Sequence, residues 1–360
     1  MTMNSIETET YKVHFNTKGY EELNHYLDFH NFSKIFILVD SNTHEYCLPE
    51  FMSQLETTIS IEIIEIEAGE QFKTIDTCVG VWNVLSELNA DRKSILLNLG
   101  GGVVTDLGGF VASTFKRGMK YINIPTSLLA MVDASVGGKT GVDLGTVKNQ
   151  IGVINSGDMV IIDTSFLDSL PQNQLKSGLA EMLKHGLIKD RAYFKTLTNL
   201  SQLTLNDLDG LIHESVSIKN NIVTEDPTEN GIRKHLNFGH TLGHAIESYF
   251  LESETKETLL HGEAIAVGMI LECYISSVLL KFPKEDVLCI TKSIHQIYQP
   301  VLFEDQDFEP IIELLKYDKK NEHGNINFVL LEAIGEPKTD CQVSNKLIIE
   351  AFQFYNSSIS

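Results

Sequence analysis

The sequence predicts an α/β domain with a mostly parallel sheet, followed by an all-α domain. Short apolar segments alternate with helical patterns over roughly the first 150 residues, which is typical of nucleotide-binding α/β domains. After about Ser165, long helical patterns dominate, and strand signals nearly vanish until residues 326–331. A chain of 360 residues is also long enough for two domains. We therefore expect an α/β domain over residues 1–165 and a helical domain over residues 166–360.

Composition and charge narrow the class of protein. The hydrophobic content of 42% is ordinary for a globular chain, and no apolar run is long enough for a membrane span, so we expect no membrane partner. The first twelve residues lack the basic start and apolar core of a signal peptide. The five cysteines are scattered without a C-x-x-C pair, which favours a reducing, cytoplasmic compartment and argues against a cysteine-bound metal. A net charge of −21 argues against a nucleic-acid partner.

Five short apolar segments predict the strands of the sheet. They cover residues 35–40, 61–67, 94–99, 121–127 and 159–163. The first ends in Asp40, and Asn42 follows in the turn. Ligands gather at the carboxyl ends of strands in open α/β sheets, so these two residues are candidates for ligand contact. A turn at residues 68–73 opens a predicted helix from about Thr74 to Leu88.

A glycine-rich segment, residues 100–109, follows the third strand and opens the next helix. Glycines let the backbone approach an anion closely, and the amides at a helix start point toward it. The segment lacks the G-x-G-x-x-G pattern, and Asp106 stands where a P-loop would have its lysine. A phosphate cradle and a purely structural turn both remain open. The following strand ends in the hydroxyl residues Thr126 and Ser127.

Residues 131–152 show no clear periodicity and combine glycines with polar side chains, among them Asp133, Lys139, Lys148 and Asn149. In an acidic chain, lysines in such a segment predict a binding loop rather than a linker.

The helical half contains further charged candidates. Glu181 and Lys184 lie one turn apart on a predicted helix, where a surface salt bridge is the alternative to a site. Lys219 lies on a helix predicted from Leu211, and a loop at residues 224–231 leads to Arg233.

Residues 237–247 predict a helix with one polar face. Asn237, His240, His244 and Glu247 follow at spacings of three and four residues, so they share this face. Burying that stripe is costly unless it binds something, although a pair of core histidines is the alternative. The face is not a metalloprotease motif, because Thr241 stands where that motif has glutamate. We assign no role to Glu247.

Two imidazoles and one carboxylate from separate helices form a ligand set that catalytic zinc uses. Glu181, His240 and His261, which begins an apolar helix, provide such a set. The spacing alone does not decide which of His240 and His244 binds the metal. Cationic side chains in the same segments could together bind a phosphate and a carboxylate. Each of them taken singly is more typical of a solvated surface charge. They are Lys139, Lys148, Lys184, Lys219, Arg233, Lys319 and Lys320.

Seven of these segments resemble the 3-dehydroquinate synthase family of sugar-phosphate cyclases, in order and at matching spacing. They are residues 100–106, 125–130, 132–140, 181–184, 237–247, 261–263 and 318–320. The resemblance implies a Rossmann-like N-terminal domain, an all-α C-terminal domain, a site in the cleft between them and a homodimer. It also implies the conversion of 3-deoxy-D-arabino-heptulosonate 7-phosphate to 3-dehydroquinate and phosphate, in the shikimate pathway. The expected sequence is transient NAD-dependent oxidation, phosphate elimination, reduction, ring opening and intramolecular aldol closure.

The resemblance also implies roles for individual residues. The metal, Zn²⁺ or Co²⁺, would be bound by Glu181, His240 and His261, with His244 facing the substrate. NAD would contact Asp40, Asn42, Glu70, Lys73, Gly101, Gly102, Asp106, Thr126, Ser127, Lys139, Lys148 and the turn from Phe166 to Ser169. The phosphorylated sugar acid would be held by Asp133, Lys139, Asn149, Lys184, Lys219, Arg233, Asn237, His244 and one of Lys319 and Lys320. Arg117 would reach the neighbouring subunit's site, and Glu229 would lie near Arg233.

Several positions depart from the family pattern, but none of these changes removes a catalytic group. Thr105 and Ser127 replace a more usual glycine and threonine, and residues 144–149 replace a shorter loop while keeping Lys148 and Asn149. Three other functions remain possible: a cyclase for sedoheptulose 7-phosphate or glucose 6-phosphate, a metal-dependent polyol dehydrogenase, and a non-catalytic nucleotide-binding regulator. The many cations favour a 3-dehydroquinate synthase over the dehydrogenase. The complete set of metal ligands argues against the regulator.

Overall fold

The computed structural model describes residues 3–8, 10–145, 147–199, 205–315 and 326–359. Its strands are β1 (Ile6–Glu7), β2 (Lys12–Phe15), β3 (Ile35–Asp40), β4 (Ile61–Ile66), β5 (Ile95–Gly100), β6 (Lys120–Pro125), β7 (Lys139–Leu144), β8 (Val147–Ile154), β9 (Met159–Ile162), β10 (Asn327–Ala333) and β11 (Glu336–Gln342). Its α-helices are α1 (Asn16–His30), α2 (Ser41–Tyr46), α3 (Leu48–Gln54), α4 (Ile75–Glu87), α5 (Gly102–Thr114), α6 (Gln172–Lys189), α7 (Arg191–Leu197), α8 (Leu205–Glu225), α9 (His240–Glu252), α10 (His261–Leu279), α11 (Lys284–Ile297), α12 (Asp305–Leu314) and α13 (Asn345–Ser358). Short 3-10 helices cover Glu70–Phe72, Phe115–Arg117, Thr164–Ser169 and Ile232–Asn237, and a π-helical turn covers Ala130–Ala134.

The chain divides into two compact units. The first contains Met1–Leu175 and Ile212–Asn220, and the second contains Lys176–Leu211 and Asn221–Ser360. The division therefore runs inside α6 and α8. The domain boundary near residue 165 stays a prediction.

The first unit is built on a seven-stranded sheet in the order β1-β2-β9-β6-β5-β3-β4. In this spatial order, all neighbouring strands from β2 through to β4 at the far edge pair in parallel. Strand β1 pairs antiparallel with β2 at the other edge. The apolar segments predicted as strands all lie in this sheet. Every residue of β5 is buried, as expected for a parallel strand that is covered on both faces. The α/β prediction is confirmed.

Parallel pairing brings the carboxyl ends of β5 and β6 together, because Gly100 pairs with Pro125. The glycine-rich segment that starts at Gly100 and the hydroxyl residues that follow Pro125 therefore lie at one edge of the sheet. Helix α5 packs closely on the sheet: a Cβ on Gly108 would lie 2.0 Å from Oδ1 of the buried Asn98. Glycine thus permits a contact here that a larger residue would prevent.

The segment predicted as an irregular binding loop, residues 131–152, contains regular structure instead. After the π-helical turn, β7 and β8 form an antiparallel hairpin. Gly141 pairs with Gly152, and a Cβ on Gly152 would lie 2.3 Å from the carbonyl oxygen of Thr140. The glycines remove the alternation of apolar and polar side chains by which a strand is recognised, so the sequence pattern missed the hairpin.

The second unit is helical, as predicted, and within its described residues it carries the β10–β11 hairpin. Two glycines let α9 and α10 approach each other very closely. A Cβ on Gly268 would lie 2.0 Å from the carbonyl oxygen of Gly239, and one on Gly243 would lie 2.7 Å from Cδ1 of Ile265. The two predicted histidine helices are therefore direct neighbours.

Helix α10 is long and apolar enough to cross a membrane by length and composition alone. In the protein, 72% of its most apolar window is buried. It is the central helix of the second unit, and it contacts α9, α11, α13 and β10.

Candidate active site

Glu181 and Lys184 form a buried ion pair on α6, not the exposed salt bridge that the sequence left possible. Lys184 Nζ donates to Glu181 Oε2, and the side chains are 1% and 0% exposed. Burial alone would raise the pKa of Glu181, but the Lys184 ammonium and His240 outweigh it and hold the pKa well below the usual value. Glu181 is therefore a charged carboxylate inside the protein.

The polar face starts later than predicted, because α9 begins at His240. Asn237 belongs to the preceding 3-10 helix, and Gly239 separates the two elements with φ 79° in the left-handed region. A spacing of three residues fits both helix types, so the pattern did not distinguish them. His240, His244 and Glu247 do share α9.

Hydrogen bonds orient the imidazoles of His240 and His261. His240 Nδ1 donates to the carbonyl oxygen of Phe238 at 3.1 Å, and His261 Nδ1 donates to Glu247 Oε2 at 3.2 Å. Both Nε2 atoms face Glu181. Its Oε1 lies 3.3 Å from His240 Nε2 and 3.5 Å from His261 Nε2. An imidazole whose Nδ1 donates to an acceptor is the usual form of a metal-binding histidine.

The three facing atoms have the spacing of metal ligands. Ligand atoms about 2.0–2.2 Å from a tetrahedral zinc ion stand about 3.4 Å from one another, close to the 3.3 and 3.5 Å measured here. Glu181 Oε1 is also fully buried and accepts no hydrogen bond of good geometry; its nearest polar neighbours are the two imidazole Nε2 atoms. A buried carboxylate oxygen without a hydrogen bond is costly unless a cation satisfies it. The residues present therefore fit a divalent metal.

The two imidazoles differ in charge. Burial and the nearby Lys184 lower the pKa of His240, so this ring is neutral near pH 7. Burial alone would also lower the pKa of His261, but the carboxylates of Glu247 and Glu181 outweigh it and raise the pKa to about 10. A metal ion that binds His261 therefore displaces a proton.

Further predicted substrate residues lie in the same unit. The ring of His244 stands 5.1 Å from that of His240 and 5.7 Å from that of His261, between centroids. One ligand atom from each of these three histidines lies within 4.8 Å of the other two, so His244 remains a geometric alternative as a ligand. We favour Glu181 because its buried Oε1 lacks a hydrogen bond.

Asn237 and Arg233 are held by the loop that precedes them. Asn237 Nδ2 donates to Glu229 Oε1 at 2.8 Å. The buried Arg233 donates from Nη1 to the carbonyl oxygen of Pro227 at 2.6 Å. Asp226 closes the loop, since its Oδ2 accepts from the backbone amides of Gly231 and Arg233 at 2.7 and 3.0 Å.

In the first unit, the buried Lys73 joins two other residues predicted for NAD or substrate. Lys73 Nζ donates to Asp106 Oδ2 at 2.5 Å and to Asn149 Oδ1 at 2.7 Å. Burial would lower the pKa of Lys73, but the carboxylates of Asp106 and Glu70 outweigh it and raise the pKa. Lys148 Nζ lies 3.6 Å from Glu70 Oε1 at the edge of this cluster. These residues were predicted as site residues from the sequence, but the hydrogen bonds between them were not.

Most of the other residues predicted to contact NAD lie at, or shortly after, the carboxyl ends of β3, β5, β6 and β9. Asp40 caps α2, with Oδ1 accepting from the Thr43 amide at 2.8 Å, and Asn42 lies in the first turn of that helix. Gly101 precedes α5 and Gly102 begins it, while Thr126 and Ser127 follow β6. Phe166 and Ser169 share the 3-10 turn after β9, with Ser169 Oγ donating to the Phe166 carbonyl at 3.2 Å.

Asp133 and Lys219, both predicted for substrate, contact each other in the first unit. Lys219 Nζ donates to the carbonyl oxygen and to Oδ1 of Asp133, at 2.6 and 2.5 Å. Lys139 is exposed at the start of β7. Arg117 is exposed, with φ 72°. Lys319 and Lys320 lie outside the described residues.

Sequence reasoning missed the groups that position the ligands. Glu247 was on the predicted polar face, yet its partner His261 belongs to another helix. Gly262 was visible only as a neighbour of His261. A Cβ there would lie 2.1 Å from the Ser177 carbonyl oxygen, and the Gly262 amide donates to Ser177 Oγ at 2.9 Å. This contact brings His261 beside α6 and therefore beside Glu181.

Comparison with known families matches most of the chain. The model of the 3-dehydroquinate synthase N-terminal region matches residues 63–177, and the model of the 3-dehydroquinate synthase C-terminal region matches residues 178–321.

Individual relatives agree with the family models. A 3-dehydroquinate synthase from Parabacteroides distasonis is 41% identical over 94% of this chain and 95% of its own length. One from Methylacidiphilum infernorum is 38% identical over 87% of this chain and 86% of its own length.

Solved structures of related cyclases have the same fold. A 2-deoxy-scyllo-inosose synthase in complex with carbaglucose-6-phosphate, NAD⁺ and Co²⁺ is 26% identical with a TM-score of 0.85, over 98% of this chain and 99% of that one. The 2-epi-5-epi-valiolone synthase of Streptomyces hygroscopicus subsp. jinggangensis, with NAD⁺ and Zn²⁺ bound, is 24% identical with a TM-score of 0.83, over 99% of both chains.

Proposed function

Because this chain belongs to the 3-dehydroquinate synthase family, we propose that it converts 3-deoxy-D-arabino-heptulosonate 7-phosphate to 3-dehydroquinate and phosphate. The single observation that carries the chemistry is the buried Glu181 Oε1, which faces two imidazole Nε2 atoms at 3.3 and 3.5 Å. The reaction requires such a metal site, and a regulatory nucleotide-binding protein does not. The activity also places the chain in the biosynthesis of aromatic amino acids.

We assign the divalent metal, Zn²⁺ or Co²⁺, to Glu181, His240 and His261. Three protein ligands leave a position open for substrate, as catalytic zinc sites do. The neutral His240 offers a lone pair directly, and Glu181 supplies the negative charge that attracts the cation. Lys184 keeps that carboxylate charged through the buried ion pair.

We assign NAD to the carboxyl edge of the sheet, where α5 begins. When bound, NAD⁺ supplies a reversible hydride acceptor and the metal supplies a Lewis acid for the oxygen that is oxidised. Gly101 and Gly102 leave room at the start of α5, where backbone amides suit a pyrophosphate. Lys73 orients Asp106 and Asn149 through hydrogen bonds at 2.5 and 2.7 Å.

We assign the substrate to cationic, amide and imidazole side chains. Each of Arg233 and Lys219 is held by a carbonyl oxygen, at 2.6 Å in both cases, so little side-chain entropy is lost when an anion binds. Asn237, His244 and Lys139 complete the proposed set. These residues position the substrate and neutralise its phosphate and carboxylate. The leaving phosphate can then remove the proton from the carbon next to the transient ketone, so no separate strong base is needed.

The protein is proposed to act as a cytoplasmic homodimer. All five cysteines are free, which suits a reducing compartment. The exposed Arg117 would contribute to the neighbouring subunit's site. Sedimentation equilibrium should give twice the chain mass of 40.3 kDa, and a monomer at micromolar concentration would contradict the dimer.

Phosphate release with three substrates tests the proposed function. Purified protein with NAD⁺ and Co²⁺ should release phosphate from the heptulosonate 7-phosphate without net formation of NADH. Release only from sedoheptulose 7-phosphate or glucose 6-phosphate would indicate another cyclase. Accumulation of NADH with a polyol would indicate a dehydrogenase.

A further inference from the structure

Glu272 is a fully buried carboxylate on the apolar helix α10, outside every motif discussed above. Its Oε2 accepts from the backbone amide of Gly239 at 2.6 Å, and its Oε1 accepts from the amide of Leu242 at 3.3 Å. Both amides belong to the start of α9, the helix that begins with His240. The charge therefore lies where an α-helix attracts anions.

The amide of Gly239 and the carbonyl of Phe238 belong to one peptide group. This carbonyl accepts from His240 Nδ1 at 3.1 Å. The same planar group thus donates to Glu272 on one side and accepts from His240 on the other. Hydrogen bonds in such a chain polarise and strengthen one another.

We propose that Glu272 is a positioning residue for His240 and acts through the Phe238–Gly239 peptide group. By fixing the plane of this peptide, the carboxylate fixes the acceptor for Nδ1–H and directs Nε2 toward Glu181. His261 receives the same support directly from Glu247. Each proposed imidazole ligand is thus supported by a carboxylate. Glu247 accepts directly from His261, and Glu272 acts on His240 through one peptide group. This inference rests on the proposed metal site.

Two features of the sequence make this connection possible. Gly239 has φ 79° and ψ −15°, a left-handed conformation that turns the Phe238–Gly239 peptide at the start of α9. The close packing at Gly268, where a Cβ would lie 2.0 Å from the Gly239 carbonyl oxygen, brings α10 within reach of that peptide. Glu272 follows Gly268 by one helical turn, on the same face of α10.

The substitution Glu272→Gln tests the proposal, because it removes the charge and keeps the shape. Asp307→Asn is the matched control: Asp307 is equally buried and also caps a helix, but it bonds to Tyr249, Lys256 and Glu304 rather than to α9's first turn. Three quantities are measured: Co²⁺ affinity from the visible absorption of bound Co²⁺, the tautomer of His240 by ¹⁵N NMR of the metal-free protein, and thermal stability.

We expect E272Q to bind Co²⁺ about 10- to 100-fold more weakly, as for other residues that support a metal ligand, with an altered absorption spectrum. D307N should lose thermal stability while Co²⁺ affinity and spectrum stay at the wild-type values. In metal-free E272Q, a substantial fraction of His240 should carry its proton on Nε2, while the wild type carries it on Nδ1.

Co²⁺ affinity within twofold of wild type and an unchanged tautomer would overturn the proposal. If E272Q does not fold, Glu272→Asp, which keeps the charge but shortens its reach, provides the same comparison. If the wild-type protein itself binds no Co²⁺, the proposed metal site is wrong. The tautomer measurement needs no metal, so it still decides whether Glu272 orients His240.

Discussion

Replacing Gly262 with alanine should separate α10 from α6 and weaken metal binding. The new Cβ would lie 2.1 Å from the carbonyl oxygen and 2.5 Å from Cα of Ser177. Backbone atoms cannot rotate away, so α10 must shift by about 1.3 Å to restore an ordinary contact of 3.4 Å. His261 precedes Gly262 and would shift with it, although metal–ligand distances tolerate only about 0.2 Å.

The size of the effect follows from this displacement. Loss of a group that orients a metal ligand typically lowers metal affinity about 10- to 100-fold, and we expect a displacement of the ligand itself to lower Co²⁺ affinity by about 100-fold. Overpacking should lower the free energy of unfolding of the metal-free protein by about 1–3 kcal/mol.

The assay combines Co²⁺ titration with urea unfolding of the metal-free protein. The matched control is Gly80→Ala on α4, because nothing lies within 4 Å of the Cβ that it would add. Alanine at this exposed position of α4 should raise the free energy of unfolding by about 0.5–1 kcal/mol and leave Co²⁺ affinity unchanged. Wild-type affinity and stability in G262A would refute the claim that this glycine sets the position of His261.

Three further predictions concern individual charges. Glu247→Gln should weaken Co²⁺ binding about 10- to 100-fold, because His261 loses the carboxylate behind Nδ1; unchanged affinity in a folded variant would refute that role. Metal affinity should rise about tenfold per pH unit between pH 7 and 9, because the pKa of His261 is raised to about 10 and its proton must leave. Calorimetry in buffers of different ionisation enthalpy measures the released proton, and pH-independent affinity would contradict the prediction. Lys73→Met should lower the free energy of unfolding by about 3 kcal/mol, because it leaves Asp106 unpaired in a largely buried position. The exposed pair lost in Lys12→Met should cost under about 1 kcal/mol, and equal costs in urea unfolding would count against the Lys73 pair.

The parallel sheet could be predicted because each buried strand is a short apolar run. Strands β3 and β5 are hydrophobic along most of their length, and each ends at a polar residue or glycine. A strand that is buried on both faces of a sheet must be hydrophobic along its length, so the apolar run itself predicts the strand. The hairpin of β7 and β8 could not be predicted in this way, since Gly141 and Gly152 pair where side chains would otherwise alternate.

The groups that position the site depend on contacts between distant segments. His240 and His261 could be named because they belong to recognisable motifs. Their supporting carboxylates could not be paired from the sequence: Glu247 acts on a residue of the next helix, and Glu272 acts on the backbone. An acid in the apolar middle of helix α10 was the available signal for Glu272. Its partner, a peptide group, has no signature in the sequence.

The most direct test of this account is the anomalous scattering of a crystal of the Co²⁺-loaded protein, measured on both sides of the cobalt edge. The account predicts one peak per chain, about 2.0–2.2 Å from Glu181 Oε1, His240 Nε2 and His261 Nε2. A peak bound by His240 and His244 without Glu181, or no peak in the second unit, would contradict it.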